Sequence, residues 1–261
     1  MARREIGGAE GRKRKKETQK RKQSVRNERQ MLIIACEDTK SSRFYFEAIF
    51  NELKMNHAIA ASSLIIAKHQ HTDPYGVLDD LLNYPDYQDF DYRWIVIDRD
   101  EERTNGGGHT LENFNQAINK ARSNKISVAY ANPCFEIWYL LHFEYRNTAI
   151  DRDKLEHDLK RDYQYAKSKL FDRVMDEDLQ NTAIKNSKRL MQSWIDNPQG
   201  KTHPANDNPS TTVHELIELL NTFKTNEETK FLNDIPGMVE SIKTAAAESL
   251  KQGTRLEDLD W

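Results

Sequence analysis

Apolar residues in this chain come first in short blocks and later in helical stripes. Residues 31–36 (MLIIAC) form an abrupt apolar run of strand length that ends at Glu37. Ser41 or Ser42 is placed to cap a helix whose Phe44, Tyr45, Ile49, Phe50 and Leu53 would share one buried face. Residues 63–67 (SLIIA) read as a second strand, and Pro74 suits the first turn of a helix with Val77, Leu78, Leu81 and Leu82 inward. A third strand, residues 92–97 (YRWIVI), delivers Asp98-Arg99-Asp100-Glu101. Asn105-Gly106-Gly107-Gly108 breaks the chain before a helix at about 111–122. Residues 126–131 are a fourth strand, and Asn132-Pro133 leads into an apolar helix through Phe143.

This alternation predicts an α/β fold: a mostly parallel sheet of about four strands with helices on both faces, followed by a helical C-terminal half. No strand is expected after Ala131. Beyond residue 150 the pattern is helical and charged, broken by a Pro/Asn/Gly-rich loop at 197–210. Val213, Leu216, Ile217 and Leu220 then mark one more amphipathic helix. The predicted division is a basic flexible arm (1–30), an α/β core (31–145), a helical extension packed on it (146–225) and a helical tail (226–261).

Composition changes this picture mainly through charge. The net charge of −3 averages two regions. Residues 1–30 hold twelve Lys/Arg against four Asp/Glu, a balance of +8, which leaves −11 for residues 31–261. The arm, with Arg12, Lys13, Arg14, Lys15 and Lys16 in one run, points to a polyanionic partner; a solvated tail would look the same. No run of eighteen apolar residues occurs, so no membrane span is expected. The charged amino terminus is unlike a signal peptide, and two isolated cysteines, Cys36 and Cys134, suit a reducing, cytoplasmic setting.

Candidate chemistry gathers at strand ends, where open parallel sheets bind their ligands. Glu37 closes the first strand, and Asp98 and Asp100 close the third, two apart and so able to face the same way. Three carboxylates at one edge repel unless neutralised, and Mg²⁺ or Mn²⁺ is the oxygen-seeking ion that suits them. An acidic pair that begins a loop can equally cap backbone N–H groups.

These residues resemble a Toprim catalytic domain in its Rossmann-like setting, and more closely an RloB-like protein, a family found in phage-defence and restriction loci. The resemblance rests on "LIIACEDTKSSRFYFEAI", "WIVIDRDE", "FNQAINKARSNKISVAYANPCFEIWYLLHF" and "NPSTTVHELIELL", which together cover most of residues 30–220. It implies a Mg²⁺-dependent (or Mn²⁺-dependent) nuclease centre, with Glu37 moving the proton and Asp98 and Asp100 holding metal. It also implies a separate ATPase partner and a role in abortive infection. Toprim domains usually place Gly after the first Glu, whereas Asp38 stands here, which leaves that loop's conformation open or adds a fourth acid.

Around this centre, Asn132 and Glu136 are placed near the metal edge, although a buried Glu136 is expected to need a basic partner. The amino terminus of the helix after Asn132-Pro133 is a candidate phosphate site. His69, in a His-Gln-His run with His71, suits hydrogen bonding or phosphate contact better than zinc. His142 and His214 read as packing residues. Lys40, Arg43, Lys68 and Arg99 stand beside the acids and could hold phosphates or pair with those acids. No GxxxxGK[ST] or GxGxxG is present, which disfavours ATP hydrolysis by this chain. Two functions follow as expectations: a metal-dependent nuclease acting on RNA, tRNA included, or DNA, or a catalytically degenerate subunit that docks on an ATPase or a nucleic acid. A metal-dependent glycosyltransferase, which also uses such an acid pair, would leave Glu37 and the arm unexplained.

Overall fold

The computed structural model describes residues 30–56, 59–102, 107–198 and 200–247. The elements in chain order are β1 (Leu32–Cys36), α1 (Ser41–Asn56), β2 (Leu64–Ile66), α2 (Pro74–Leu82), β3 (Tyr92–Asp98), α3 (Leu111–Ser123), β4 (Ser127–Asn132) and α4 (Glu136–Leu141). They continue with α5 (Arg152–Tyr163), α6 (Glu177–Ile195), β5 (Ser210–Thr211), α7 (Val213–Asp234) and α8 (Met238–Ala247). The sheet runs in the order β2-β1-β3-β4-β5; the first four strands are parallel and β5 is antiparallel to β4.

Alternate residues of the central strands feed two separate cores, as the period of two requires. Leu32, Ile34, Trp94, Val96, Ala129 and Ala131 face α1 and the helices from α4 to α7. Ile33, Ala35, Ile95, Ile97 and Tyr130 face α2 and α3. The expected α/β architecture is therefore present, with both faces of a mostly parallel sheet covered and a helical C-terminal part. Val213, Leu216, Ile217 and Leu220 of α7 are buried in the first of these cores.

Four local expectations are corrected. The sheet has a fifth strand: Ala131 pairs with Thr211 and Asn132 with Ser210. Two polar residues carry no periodicity, and β5 exists only because the returning chain meets the open edge of β4. The buried face of α1 takes Phe46 rather than Phe44, which is only partly buried. Its first turn is satisfied by Asp38 and not by a serine: the Asp38 carboxylate accepts from the backbone N–H of Lys40 (2.6 Å) and Ser42 (3.0 Å) and from both serine hydroxyls. Finally, α4 starts at Glu136 and has six residues. Asn132 stays in β4, so no helix amino terminus lies at Asn132-Pro133 to receive a phosphate.

Candidate functional site

In the strand order 2-1-3-4, β1 and β3 are the neighbours whose chain connections leave in opposite directions, and a crevice opens beyond their carboxyl ends. The register sets Cys36 beside Val96, and the ladder goes one step further, with Glu37 N–H donating to the Val96 carbonyl at 3.0 Å. This step brings Glu37 against Asp98, whose backbone N–H donates to Glu37 Oε2 at 2.9 Å. Glu37, Asp98 and Asp100 are all buried, yet all three line one open cavity of about 560 Å³. Its wall also carries Thr39, Lys40, Thr72, Asp73, Arg152 and Lys167.

Two of the three acids have a cationic or polar partner. His109 Nε2–H donates to Glu37 Oε1 at 2.5 Å. Arg152 Nη1 donates to Asp100 Oδ2. The Asp98 carboxylate has no hydrogen-bond or ion-pair partner among the described residues. Burial, then the charge of Glu37, lift its pKa well above the usual carboxylate range, with Arg152 opposing. Burial also raises Glu37, against the His109 hydrogen bond. For His109, burial disfavours the cation, but the hydrogen bond and charge of Glu37 outweigh it and the imidazole is raised.

His109, Arg152 and Lys167 were not foreseen. His109 had a weak signal, since it follows a Gly run in the crossover leaving an acid-bearing strand end. The loop returns so that His109 N–H donates to the Asp100 carbonyl at 2.7 Å. Arg152 begins α5, 52 residues beyond Asp100, and nothing local marks it.

The remaining candidates divide. Lys40 and His69 line the cavity, and His69 Nδ1 bonds the Cys36 carbonyl at 3.2 Å. Its neighbour His71 is engaged by the buried Asp80 at 2.7 Å, so the two histidines do not act as a pair. Asp38, also on the wall, is occupied with the first turn of α1 and is not in the left-handed backbone region a glycine would allow. Glu136 is fully buried outside the lining and has the basic partner that burial requires: Lys167 at 3.3 Å, with Tyr165 donating at 2.8 Å. Burial pushes its pKa up, but Lys167 and then Arg152 prevail and hold it low. Asn132 is off the cavity and donates to the Pro204 carbonyl. Arg99 is buried, donating to the Ala205 carbonyl at 3.1 Å, and lies off the cavity too. Arg43 pairs with Glu47 at 2.7 Å, and Lys68 is exposed. Arg12, Lys13, Arg14, Lys15 and Lys16 lie outside the described residues.

Among the described residues, no group of three or more His, Cys, Asp and Glu side chains is preset to hold a metal ion. The donor set nonetheless fits a hard divalent cation: Asp98 is a buried carboxylate on the cavity wall with no hydrogen bond or ion pair among the described residues, and two further carboxylates line the same cavity. No helix among the described residues is long and apolar enough to cross a membrane. A family model for RloB-like proteins matches residues 32–220. No curated protein and no solved structure matches the chain.

Proposed function

The chain belongs to the RloB-like protein family, and from that membership and its acidic cavity together we propose a metal-dependent, Toprim-type nuclease effector of anti-phage defence. Its substrate in this reading is a phosphodiester of RNA, tRNA included, or of DNA, met in the cytoplasm, and a separate ATPase is its working partner. The observation that carries the reading is the convergence of Glu37, Asp98 and Asp100 on one open cavity at the carboxyl ends of adjacent parallel strands, with the Asp98 carboxylate free of hydrogen bonds and ion pairs among the described residues.

Mg²⁺ or Mn²⁺, when bound there, would offset the acids, polarise a phosphodiester and make bound water more acidic. The chain's own residues supply the rest. Glu37, its proton affinity raised by burial, takes a proton from the attacking water while His109 and the Asp98 N–H fix its orientation. Lys40, on the wall, offers positive charge to phosphate oxygens.

Purified chain with Mg²⁺ or Mn²⁺ is expected to cleave RNA or DNA, and Glu37→Gln and Asp98→Asn should each lower the rate on the order of a hundredfold or more. Undiminished cleavage by both variants would sink the assignment.

One observation favours a binding subunit without catalysis. His109 on Glu37 and Arg152 on Asp100 already engage two of the three acids. Calorimetric titration separates the two: no heat from Mg²⁺ or Mn²⁺, with nucleic-acid or ATPase binding intact, supports the binding subunit.

A further inference from the structure

The three acids of the cavity are not equivalent, and the difference bears on how many cations the site takes. Asp98 is 5 % exposed, lines the cavity and has no side-chain hydrogen bond or close ion pair among the described residues, feeling Arg152 only through space. Asp100 is just as buried but carries the Arg152 guanidinium on Oδ2.

Arg152 is itself held from behind. Its Nε lies 3.4 Å from Glu156, Glu156 takes Lys167 Nζ at 2.7 Å, and Lys167 reaches the buried Glu136 at 3.3 Å. A line of alternating charges thus runs from the cavity wall into the core and fixes the guanidinium against Asp100. Arginine does not lose its proton in proteins, so this positive charge is permanent. Two-metal phosphodiesterase sites need ions about 3.5–4 Å apart, usually bridged by a shared carboxylate. A second ion between Asp98 and Asp100 would sit against the guanidinium, with like charges in a partly desolvated place.

We infer that Arg152 stands in for a second cation: it holds Asp100 in an ion pair, and the site takes a single divalent ion at Asp98, beside the proton acceptor Glu37. The inference rests on the metal-dependent reading above and narrows it. Charge at the phosphate would be balanced by the one ion together with Lys40 on the cavity wall, while Arg152 neutralises Asp100. Asp100 and Arg152 become positioning residues, neither being a direct ligand.

The test is a Mn²⁺ titration of the full chain, with free ion followed by electron paramagnetic resonance. The expected result is one ion per chain. Asp98→Asn should weaken uptake by at least about tenfold, whereas Asp100→Asn, nearly isosteric, should keep the affinity within about threefold. Folded Arg152→Met, which takes the guanidinium away from Asp100, should take a second ion or hold the first at least about tenfold more tightly. If that variant fails to fold by circular dichroism, the two Asn variants still decide. Two ions on the unaltered chain overturn the inference and leave the metal-dependent reading standing. So does Asp100→Asn as damaging as Asp98→Asn, or unchanged binding by folded Arg152→Met. No uptake by the unaltered chain overturns the metal-dependent reading itself.

Discussion

Two histidines show how burial and a partner together set the state of an ionisable side chain. His109 meets a carboxylate, and its pKa goes up despite burial. His142 is buried among aromatic rings, with Nδ1–H donating to the Trp138 carbonyl at 2.8 Å and no hydrogen bond on Nε2 among the described residues. Burial therefore drives its pKa down to about 4 from 6.5. The linkage follows from the sign of that shift. Above pH 6.5 both folded and unfolded chains hold the ring neutral, and no stability depends on it. Between pH 6.5 and about 4 the unfolded chain takes a proton that the folded chain refuses, so stability falls as the solution is acidified. At pH 4.5 the loss from this group is ~2.5 kcal/mol. His142→Gln keeps a side-chain amide for the Trp138 carbonyl and has no such titration. Urea unfolding at pH 7 and pH 4.5 should show the difference between the two pH values shrinking by about that amount in the variant. An equal difference in both proteins would mean that His142 is protonated in the folded state.

At the scale of elements, the loop carrying His109 depends on one glycine. Gly108 has φ of +80°, and a Cβ there would lie 2.1 Å from the Glu101 carbonyl oxygen, a clash with backbone that no side-chain movement relieves. Gly107 has φ of +86° but open space around it. Gly108→Ala should therefore displace His109 from Glu37 and reduce cleavage by about tenfold or more, while Gly107→Ala, strained by only ~1 kcal/mol, should stay within a few-fold. Equal rates in the two variants would dissociate the loop from the chemistry. The segment between α5 and α6 is tied to α4 in another way, by Tyr165 donating to the buried Glu136. Tyr165→Phe should cost about 1–3 kcal/mol in chemical unfolding, because it takes a hydrogen bond from a buried carboxylate. The four parallel strands were legible because strands buried on both faces appear as unbroken apolar runs. The fifth strand, the Asp38 cap and the late start of α4 were not, because each is set by a contact that local pattern does not encode.

Across the whole molecule the same division holds for the site. Glu37 and Asp98 could be read from sequence because each follows an apolar run, and Asp100 because it stands two residues beyond Asp98; a parallel sheet brings such strand ends together. Their partners could not be read, since His109 arrives through a returning loop and Arg152 and Lys167 come from the helical half. The acids also sit in a body whose sequence balance is −11, which repels a nucleic acid at a distance, whereas residues 1–29 carry the compensating cations. Those residues lie outside the described structure, so their contribution is a matter for salt dependence. Each phosphate neutralised by a cation lowers the slope of log K against log salt by about 0.9 for duplex DNA and about 0.7 for single strands. Removing residues 1–29 should therefore flatten that slope by several units and weaken binding most at low salt. The cleavage rate at saturating substrate should stay within about twofold, because the cavity and its cations remain. A slope unchanged by the truncation would assign the nucleic-acid contacts to the body, where Lys40 and Lys68 are the next residues to neutralise.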